Sequence, residues 1–316
     1  MSIAVRRAAP EDYAAFAAIV NAVTPEAPTT VDNLAWQDAT YPGGGRWLAA
    51  LDDRTVGAGS VGRIFMFAPD FDAFWGSIEV LPDARRRGVG SALFAVLGDV
   101  ARDAGKTHLH MPASSSRPES VAWLEHRGFV EYDRWKIVQL DLGGLATPPI
   151  DPPPGVAITS LEDRPDLVEA VHRVALEAFP DIPTGGEPMA AGTLDEFRAR
   201  DVDRAGIPPG GFAVALDEAL GDAIGFASIM FLPGSTTRAY HDMTAVRRAW
   251  RGRGVGRALK HATIAWAVRS GLESLETGNE EANAPMRALN ARLGYRARPD
   301  EITFRGPVPA TVGVQP

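Results

Sequence analysis

Apolar and polar residues alternate at two places 153 positions apart, Ile3-Ala4-Val5 and Val156-Ala157-Ile158. A period of two predicts a strand at each. Each is followed by an acidic helix start, Pro10-Glu11-Asp12 and Glu162-Asp163. Two β-like runs come next in both places, Arg46–Leu51 with Arg54–Phe67 and Gly211–Leu216 with Ala223–Leu232; Asp52-Asp53 and Asp217-Glu218 supply polar turns. A further strand, Ser77–Leu81 or Met243–Val246, runs into a Gly-rich loop. The spacing then becomes helical, through Leu93, Val96, Leu97 and Val100 in one case and Leu259, Ala262 and Trp266 in the other. Strand, helix and strand complete each unit. The fold class expected is α/β, with a mixed sheet flanked by helices, occurring twice.

The two occurrences are copies. Arg87-Gly88-Val89-Gly90 matches Arg253-Gly254-Val255-Gly256 at an offset of 166 (254 − 88). At that offset Ala92-Leu93 faces Ala258-Leu259, Gly105 faces Gly271, and Arg127-Gly128-Phe129 faces Leu293-Gly294-Tyr295. An ungapped register over this length indicates duplication. Between the copies lies a Pro-rich run, 144–155, where prolines forbid a helix or an inner strand. The expected organisation is a domain at 1–143, a semi-rigid linker at 144–155 and a domain at 156–316.

Composition narrows the chemistry. A chain of 316 residues with a net charge of −8 lacks the basic excess that nucleic acid or an anionic membrane requires. The absence of cysteine excludes disulfides, thiolate metal sites and a cysteine nucleophile; no metal site is expected. The N-terminus has no apolar run of signal-peptide length, and the apolar run Phe226–Leu232 is far too short for a membrane span. A soluble, cytoplasmic protein is expected. The cluster Phe65, Phe67, Phe71, Phe74 and Trp75 reads as core.

The Gly loops carry the ligand chemistry. In the first copy the loop is Arg85-Arg86-Arg87-Gly88-Val89-Gly90-Ser91 and in the second Arg251-Gly252-Arg253-Gly254-Val255-Gly256-Arg257. Glycines admit backbone turns and close ligand approach, the following helix presents N–H groups and positive potential, and the arginines add charge; together these suit a pyrophosphate. The dinucleotide fingerprint would need a third glycine where Leu93 and Leu259 stand, and the phosphate-loop pattern Gly-Lys-Ser/Thr is absent.

On these residues both copies resemble the GNAT superfamily of acyl-CoA-dependent N-acetyltransferases. The resemblance is strongest from Phe74 to Phe129 and from His241 to Tyr295, and the run Asn279, Asn283-Ala284-Pro285-Met286 and Asn290 to Tyr295 is similar to actinobacterial two-domain members, with the mycothiol synthases as a more distant analogue. It implies that the strand before each loop splays from its neighbour, that pantetheine enters the gap with backbone near Ile78 and Val80 or near Thr244, Ala245 and Val246, and that the Gly loop takes the pyrophosphate of acetyl-CoA. A main-chain N–H there would polarise the thioester carbonyl.

Transfer to an amine requires removal of a proton. The resemblance points to Asp242 as general base, directly or through water, with Thr244 lining the acceptor site; read as a regular strand, the pair shares one face and His241 the other. Asp242 also fits a plain strand-start role. Where many members carry a tyrosine acid, this chain has Asn290 and Leu124, so a side-chain acid is missing; Tyr295 and Phe129 read as core anchors. Asn279 and Asn283 fit contacts to pantetheine or phosphate, and Asn283 before Ala284-Pro285 fits a helix cap equally.

The first copy has Gly76 where the second has Asp242, and Arg117 where it has Asn283. The second domain is therefore the expected catalytic one and the first non-catalytic. The acceptor expected is an amine of a small molecule, a peptide or a protein, with a segment at Ile182–Gly192 bordering its cleft. A non-catalytic acyl-CoA sensor and a longer acyl donor remain alternatives, and monomer and homodimer are both open.

Overall fold

The computed structural model describes residues 2–185 and 187–310; Met1, Gly186 and residues 311–316, which belong to segments named above, lie outside the described residues. The chain forms two compact units. One comprises Met1–Arg134 with Asp300–Pro316, and the other Trp135–Pro299.

The first unit contains β1 (Ile3–Arg7), α1 (Tyr13–Val23), α2 (Val31–Thr40), β2 (Gly45–Leu51), β3 (Arg54–Arg63), β4 (Ala73–Val80), α3 (Val89–Asp103), β5 (His108–Ser114) and α4 (Pro118–Glu125). The next strand, β6 (Val130–Asp141), enters the second unit at Trp135. That unit contains β7 (Val156–Ser160), α5 (Val168–Ala178), α6 (Leu194–Phe197), β8 (Ala213–Asp217), β9 (Ala223–Phe231), β10 (Arg238–Val246), α7 (Val255–Arg269), β11 (Ser274–Glu280), α8 (Ala284–Arg292) and β12 (Arg296–Ala297). The last strand, β13 (Glu301–Pro307), returns to the first unit.

Each unit is a mixed sheet between helices. The first has the order β1-β2-β3-β4-β5-β13, the second β7-β8-β9-β10-β11-β6 with β12 along the far side of β6. Within these two sheets β4 with β5 and β10 with β11 are parallel, and the other pairings described run antiparallel. The expected Asp52-Asp53 turn forms with both residues in the left-handed region, φ 47° and 65°, as a two-residue hairpin of matching twist requires. The expected strands Met243–Val246 and Ser77–Leu81 start earlier than their apolar pattern suggests, at Arg238 and Ala73.

One face of the first sheet buries Val89, Leu93 and Leu97 of α3; the other buries Tyr13, Phe16 and Ile19 of α1. In the second unit Val255, Leu259 and Ala262 of α7 pack on Ala213, Ala215 and Ala227. The opposite face is aromatic: Phe212 stacks on Phe226 with ring centres 5.4 Å apart, and Phe179 and Phe197 close on the same ring. Phe67 and Phe74 are buried, with Phe71 and Trp75 against the Phe67 cluster.

The units are not cut at the Pro-rich run. Residues 135–141 pair antiparallel with β11, Trp135 opposite Glu280 and Asp141 opposite Ser274. Residues 301–307, which follow them by 166, pair with β5 in the matching register, Glu301 opposite Ser114 and Pro307 opposite His108. Each half of the sequence thus gives its final strand to the other half's sheet. The Pro-rich run is tied to the second unit, where the Pro149 carbonyl lies 2.8 Å from His261 Nδ1.

This exchange places Leu140 and Leu142, which precede the Pro-rich run, in a core with Ile229, Ala239, Leu275 and Tyr295. A fragment 156–299 lacks them and bares the edge of β11, so it is expected to aggregate, whereas 135–299 holds every strand of the unit and is expected to stay soluble. Circular dichroism and amide NMR dispersion of the two fragments check this; a native-like 156–299 fragment would contradict it.

Candidate active site

The parallel pairing of β10 with β11 covers only Arg238–Tyr240 against Ser274–Glu276. Beyond it the strands part, as β4 and β5 do beyond Trp75 and His110. Among the described residues no strand pairs with the β11 side of β10 from His241 to Val246; the Thr277 hydroxyl donates to the His241 carbonyl at 2.9 Å. An open edge inside a sheet is a place where an extended ligand can dock by main-chain hydrogen bonds.

Just there β10 carries an extra residue. His241 pairs with Ile229 and Thr244 with Ala227, so Asp242 and Met243 together oppose Ser228. A bulge of this kind re-aims side chains. It corrects the regular-strand reading: Thr244, opposite Ala227, shares the α7 face with His241, and Asp242 does not share it. Solvent reaches Asp242. Surrounding protein nevertheless disfavours its charged form and pushes the carboxyl up to about 6, with the like charge of Asp201 adding and Arg204 and Arg200 opposing.

Chain geometry brings Asp201 there. Phe197 packs on Phe226, and the Gly206 carbonyl accepts from the Phe231 N–H at 2.7 Å. The segment between them therefore crosses β9 over the level of Ser228, which the bulge opposes. Arg200 pairs with Asp201 at 2.8 Å and donates to the Ala191 carbonyl at 3.1 Å, fastening this segment to the 190–192 stretch. Sequence pattern offers no sign of Asp201 or Arg204, because the residues meet Asp242 only through tertiary structure.

The loop after β10 is open. Gly252 and Gly254 adopt φ 73° and 93°, in the left-handed region that glycine tolerates, and a Cβ at either would meet nothing within 4 Å. A Cβ at Gly256 would meet only Val246, at 3.9 Å. The N–H groups of the first turn of α7 point into this space, with Arg253 and Arg257 exposed beside it. Val255 is buried in the core beneath, and Val246 packs on the same cluster. Arg251 serves the fold: it donates to the Val246 carbonyl at 2.8 Å and pairs with Asp181 at 2.7 Å. Arg248 joins it, and the two hold the Asp181 carboxyl down at about 2.

Asn279 and Asn290 meet at the far side of the gap. Asn290 is buried and donates to Asn279 Oδ1 at 2.6 Å, while its own Oδ1 has no partner. A buried acceptor left open is costly in an empty protein and suits a ligand donor. Asn283 caps α8, accepting from the Met286 N–H at 3.4 Å.

The first unit repeats the loop with less room. Gly88 matches Gly254 at φ 88°, and Arg86, equivalent to Gly252, is forced to φ 62°. A Cβ at Gly90 would meet the Trp123 indole at 3.8 Å. Arg127 lies 3.8 Å over that indole and donates to Ser91 at 2.9 Å. Arg85 donates to the Val80 carbonyl as Arg251 does to that of Val246, Arg87 is exposed, and Val89 is core. Val80 and Ile78 pack against the α3 cluster. The β3–β4 register runs from Arg63–Phe74 to Gly57–Val80 without a bulge. Glu79 lies on the α1 face, 3.4 Å from Ser77, and burial pushes its carboxyl up to about 7. Arg117 pairs with Glu26 at 2.6 Å.

Among the described residues no helix is long and apolar enough to cross a membrane, and no group of acidic or histidine side chains is placed to hold a metal.

Comparison with known proteins agrees with this architecture. Mycothiol acetyltransferases are similar: that of Thermomonospora curvata is 28% identical, with 77% of each chain covered, and that of Actinosynnema mirum 30% identical over 69% of this chain and 70% of its own. A tandem GNAT protein from the clavulanic acid biosynthesis pathway shares the fold, with a TM-score of 0.78 at 22% identity, covering 98% of this chain and 99% of its own. A GCN5-related N-acetyltransferase from Sphaerobacter thermophilus has a TM-score of 0.72 at 16% identity, covering 99% of this chain and 98% of its own. The model of the acetyltransferase (GNAT) family matches residues 13–129 and again 169–295. By these two matches, which take in more than half of its residues, the chain belongs to the acetyltransferase (GNAT) family as a tandem of two GNAT regions.

Proposed function

We propose that this protein transfers the acetyl group of acetyl-CoA to an amine of a small-molecule or peptide acceptor, and that the second unit performs the reaction. The observation that carries this reading is the bulge at Asp242-Met243, set where β10 has lost its strand partner. The open Gly252–Gly256 loop with the start of α7, Arg253 and Arg257 would take the pyrophosphate. Pantetheine would lie along Thr244–Val246, with Asn279 and the open Oδ1 of Asn290 across the gap.

Asp242 takes a proton from the acceptor ammonium, because only the neutral amine has a lone pair to attack. The new C–N bond forms at the acetyl carbonyl, a β10 main-chain N–H stabilises the oxyanion, and the C–S bond breaks. CoA leaves as a thiolate, and the surplus proton on the new amide nitrogen passes to water. A thiol pKa of about 8–9 lets water return the proton, so the lack of an acid at Asn290 is no obstacle. The relatives' name makes a small molecule the first acceptor class to screen. The first unit, with its loop covered by Trp123 and Arg127 and its strand unbulged, supports the fold.

Release of free thiol from acetyl-CoA, measured across a panel of amines, tests the reading. Asp242→Asn should lower turnover on the order of a hundredfold, the contribution of a general base, and Glu79→Gln should leave it unchanged. Binding of acetyl-CoA without release for any amine would favour the sensor alternative. Since the Asp242 carboxyl titrates near 6, the carboxylate forms as pH rises through that value and the rate should climb with it; Asp242→Asn should lose that limb.

Gly254→Asp puts a strained residue and a negative charge at the pyrophosphate position, and should weaken acetyl-CoA binding about tenfold or more, a cost of roughly 1.4 kcal/mol. Gly88→Asp should leave turnover intact. A folded Gly88→Asp protein that alone loses all turnover would overturn the assignment of the second unit.

A further inference from the structure

The core beneath the bulge is polar. His241, Thr263, Thr277 and Tyr295 are all buried, none more than 7% exposed. His241 Nδ1 lies 3.0 Å from the Tyr295 hydroxyl and Nε2 lies 3.1 Å from Thr263 Oγ1. Thr263 also reaches the carbonyls of Leu259 and Lys260, at 3.2 and 3.0 Å, so its single proton is committed to them. Its oxygen must then accept from His241, which puts the imidazole proton on Nε2. Nδ1 is left as acceptor and Tyr295 O–H as donor.

The ring is thereby held from both sides, and Thr277 holds the carbonyl of the same residue at 2.9 Å. Lys260 lies on α7 with Nζ 5.4 Å from the Tyr295 ring centre. Burial and the Lys260 charge both keep His241 neutral, the state this directional chain needs.

The duplicated unit serves as an internal control. At the offset of 166 residues Lys260, Thr263, Thr277 and Tyr295 correspond to Phe94, Leu97, Met111 and Phe129. Upstream of the bulge the strands correspond at 165, since Tyr240 pairs with Glu276 as Trp75 pairs with His110, and His241 takes the place of Gly76. None of these counterparts carries a polar side chain, and the strand that carries Gly76 has no bulge. The polar core is therefore not a requirement of the fold.

A bulge does have a requirement of its own. Its extra residue makes no ladder bonds, so nothing in the pairing prevents it from moving along the strand, and a shift of one position turns side chains to the other face. A fully satisfied buried polar network fixes one geometry where apolar packing tolerates several.

We infer that His241 is a positioning residue for Asp242: Tyr295, Thr263 and Thr277 lock residue 241 and so confine the extra residue of β10 to Asp242-Met243, keeping the carboxylate on the face opposite α7. The inference rests on the reading of Asp242 as the base.

Tyr295→Phe and Thr263→Val each delete one hydroxyl with little change of shape, and Thr263→Ser restores one. With acetyl-CoA and the most active amine of the panel, the first two should lower kcat on the order of tenfold to a hundredfold, the effect of a misplaced catalytic group. Their acetyl-CoA affinity should be unchanged and Thr263→Ser should behave like the unmodified protein. Carboxyl ¹³C NMR of Asp242, assigned by its loss in Asp242→Asn, gives a readout independent of turnover: its midpoint should fall from about 6 toward the ordinary aspartate range in the first two variants. Unchanged kcat and midpoint, or a loss confined to thermal stability, would overturn the inference. If no amine is turned over at all, the function proposed above fails, while the Asp242 midpoint alone still decides whether the network positions that side chain.

Discussion

Backbone N–H and C=O groups enclosed by protein need partners, and a strand inside a sheet ordinarily finds them on both sides. β10 finds them on one side only once it has passed Tyr240. This local deficit organises the second unit. The side of β10 left open is the side along which an extended chain can hydrogen-bond, the extra residue at Asp242-Met243 lies within that stretch, and the Gly-rich turn follows at its end. Thr277 and Arg251 each meet one main-chain carbonyl of the stretch. What remains open is the length between them.

The two units show how a common frame can carry different interiors. The sheet orders agree and the loops share their left-handed turns, Gly88 and Gly254 at φ 88° and 93°. Beneath the strand they diverge. The first unit packs Phe94, Leu97 and Phe129 together, which asks for volume and little else. The second puts the Thr263 and Tyr295 hydroxyls there and the His241 imidazole between them, where each donor must find an acceptor in a set direction. A polar interior risks far more if one partner is lost, and it specifies more when all are present.

Much of this is legible in the sequence, and the parts that are not share a physical cause. Period-two and helical spacing identify the strands and α7, and the constant offset identifies the duplication. The loops can be read because glycine at a left-handed position leaves a local trace. The bulge cannot, since alternation along Tyr240 to Val246 looks the same with or without an extra residue; a regular strand consequently puts Thr244 on the wrong face. Asp201 lies 41 positions from Asp242 and reaches it by way of Phe197 and Gly206, contacts that no local pattern encodes. Domain limits at 143 and 156, drawn at the prolines, also miss the outcome. Pairing residues 135–141 with β11 and 301–307 with β5 uses the same register that pairing within each half would use, so the repeat predicts the ladder without saying which copy supplies the strand. One further signal lies in the chain itself: polar residues at 260, 263, 277 and 295 stand opposite apolar ones at the repeat offset.

The exchanged strands also set an order of events during synthesis. The first unit comprises residues through Arg134, yet its sheet is complete only when Glu301–Pro307 has left the ribosome. Until then β5 has a free edge, and the chain behind it cannot bury that edge by itself. Domains that follow one another usually mature in sequence from the N-terminus. Here the second unit, from Trp135 to Pro299, has all of its strands before the first has its last one, so the half made first is the half finished last.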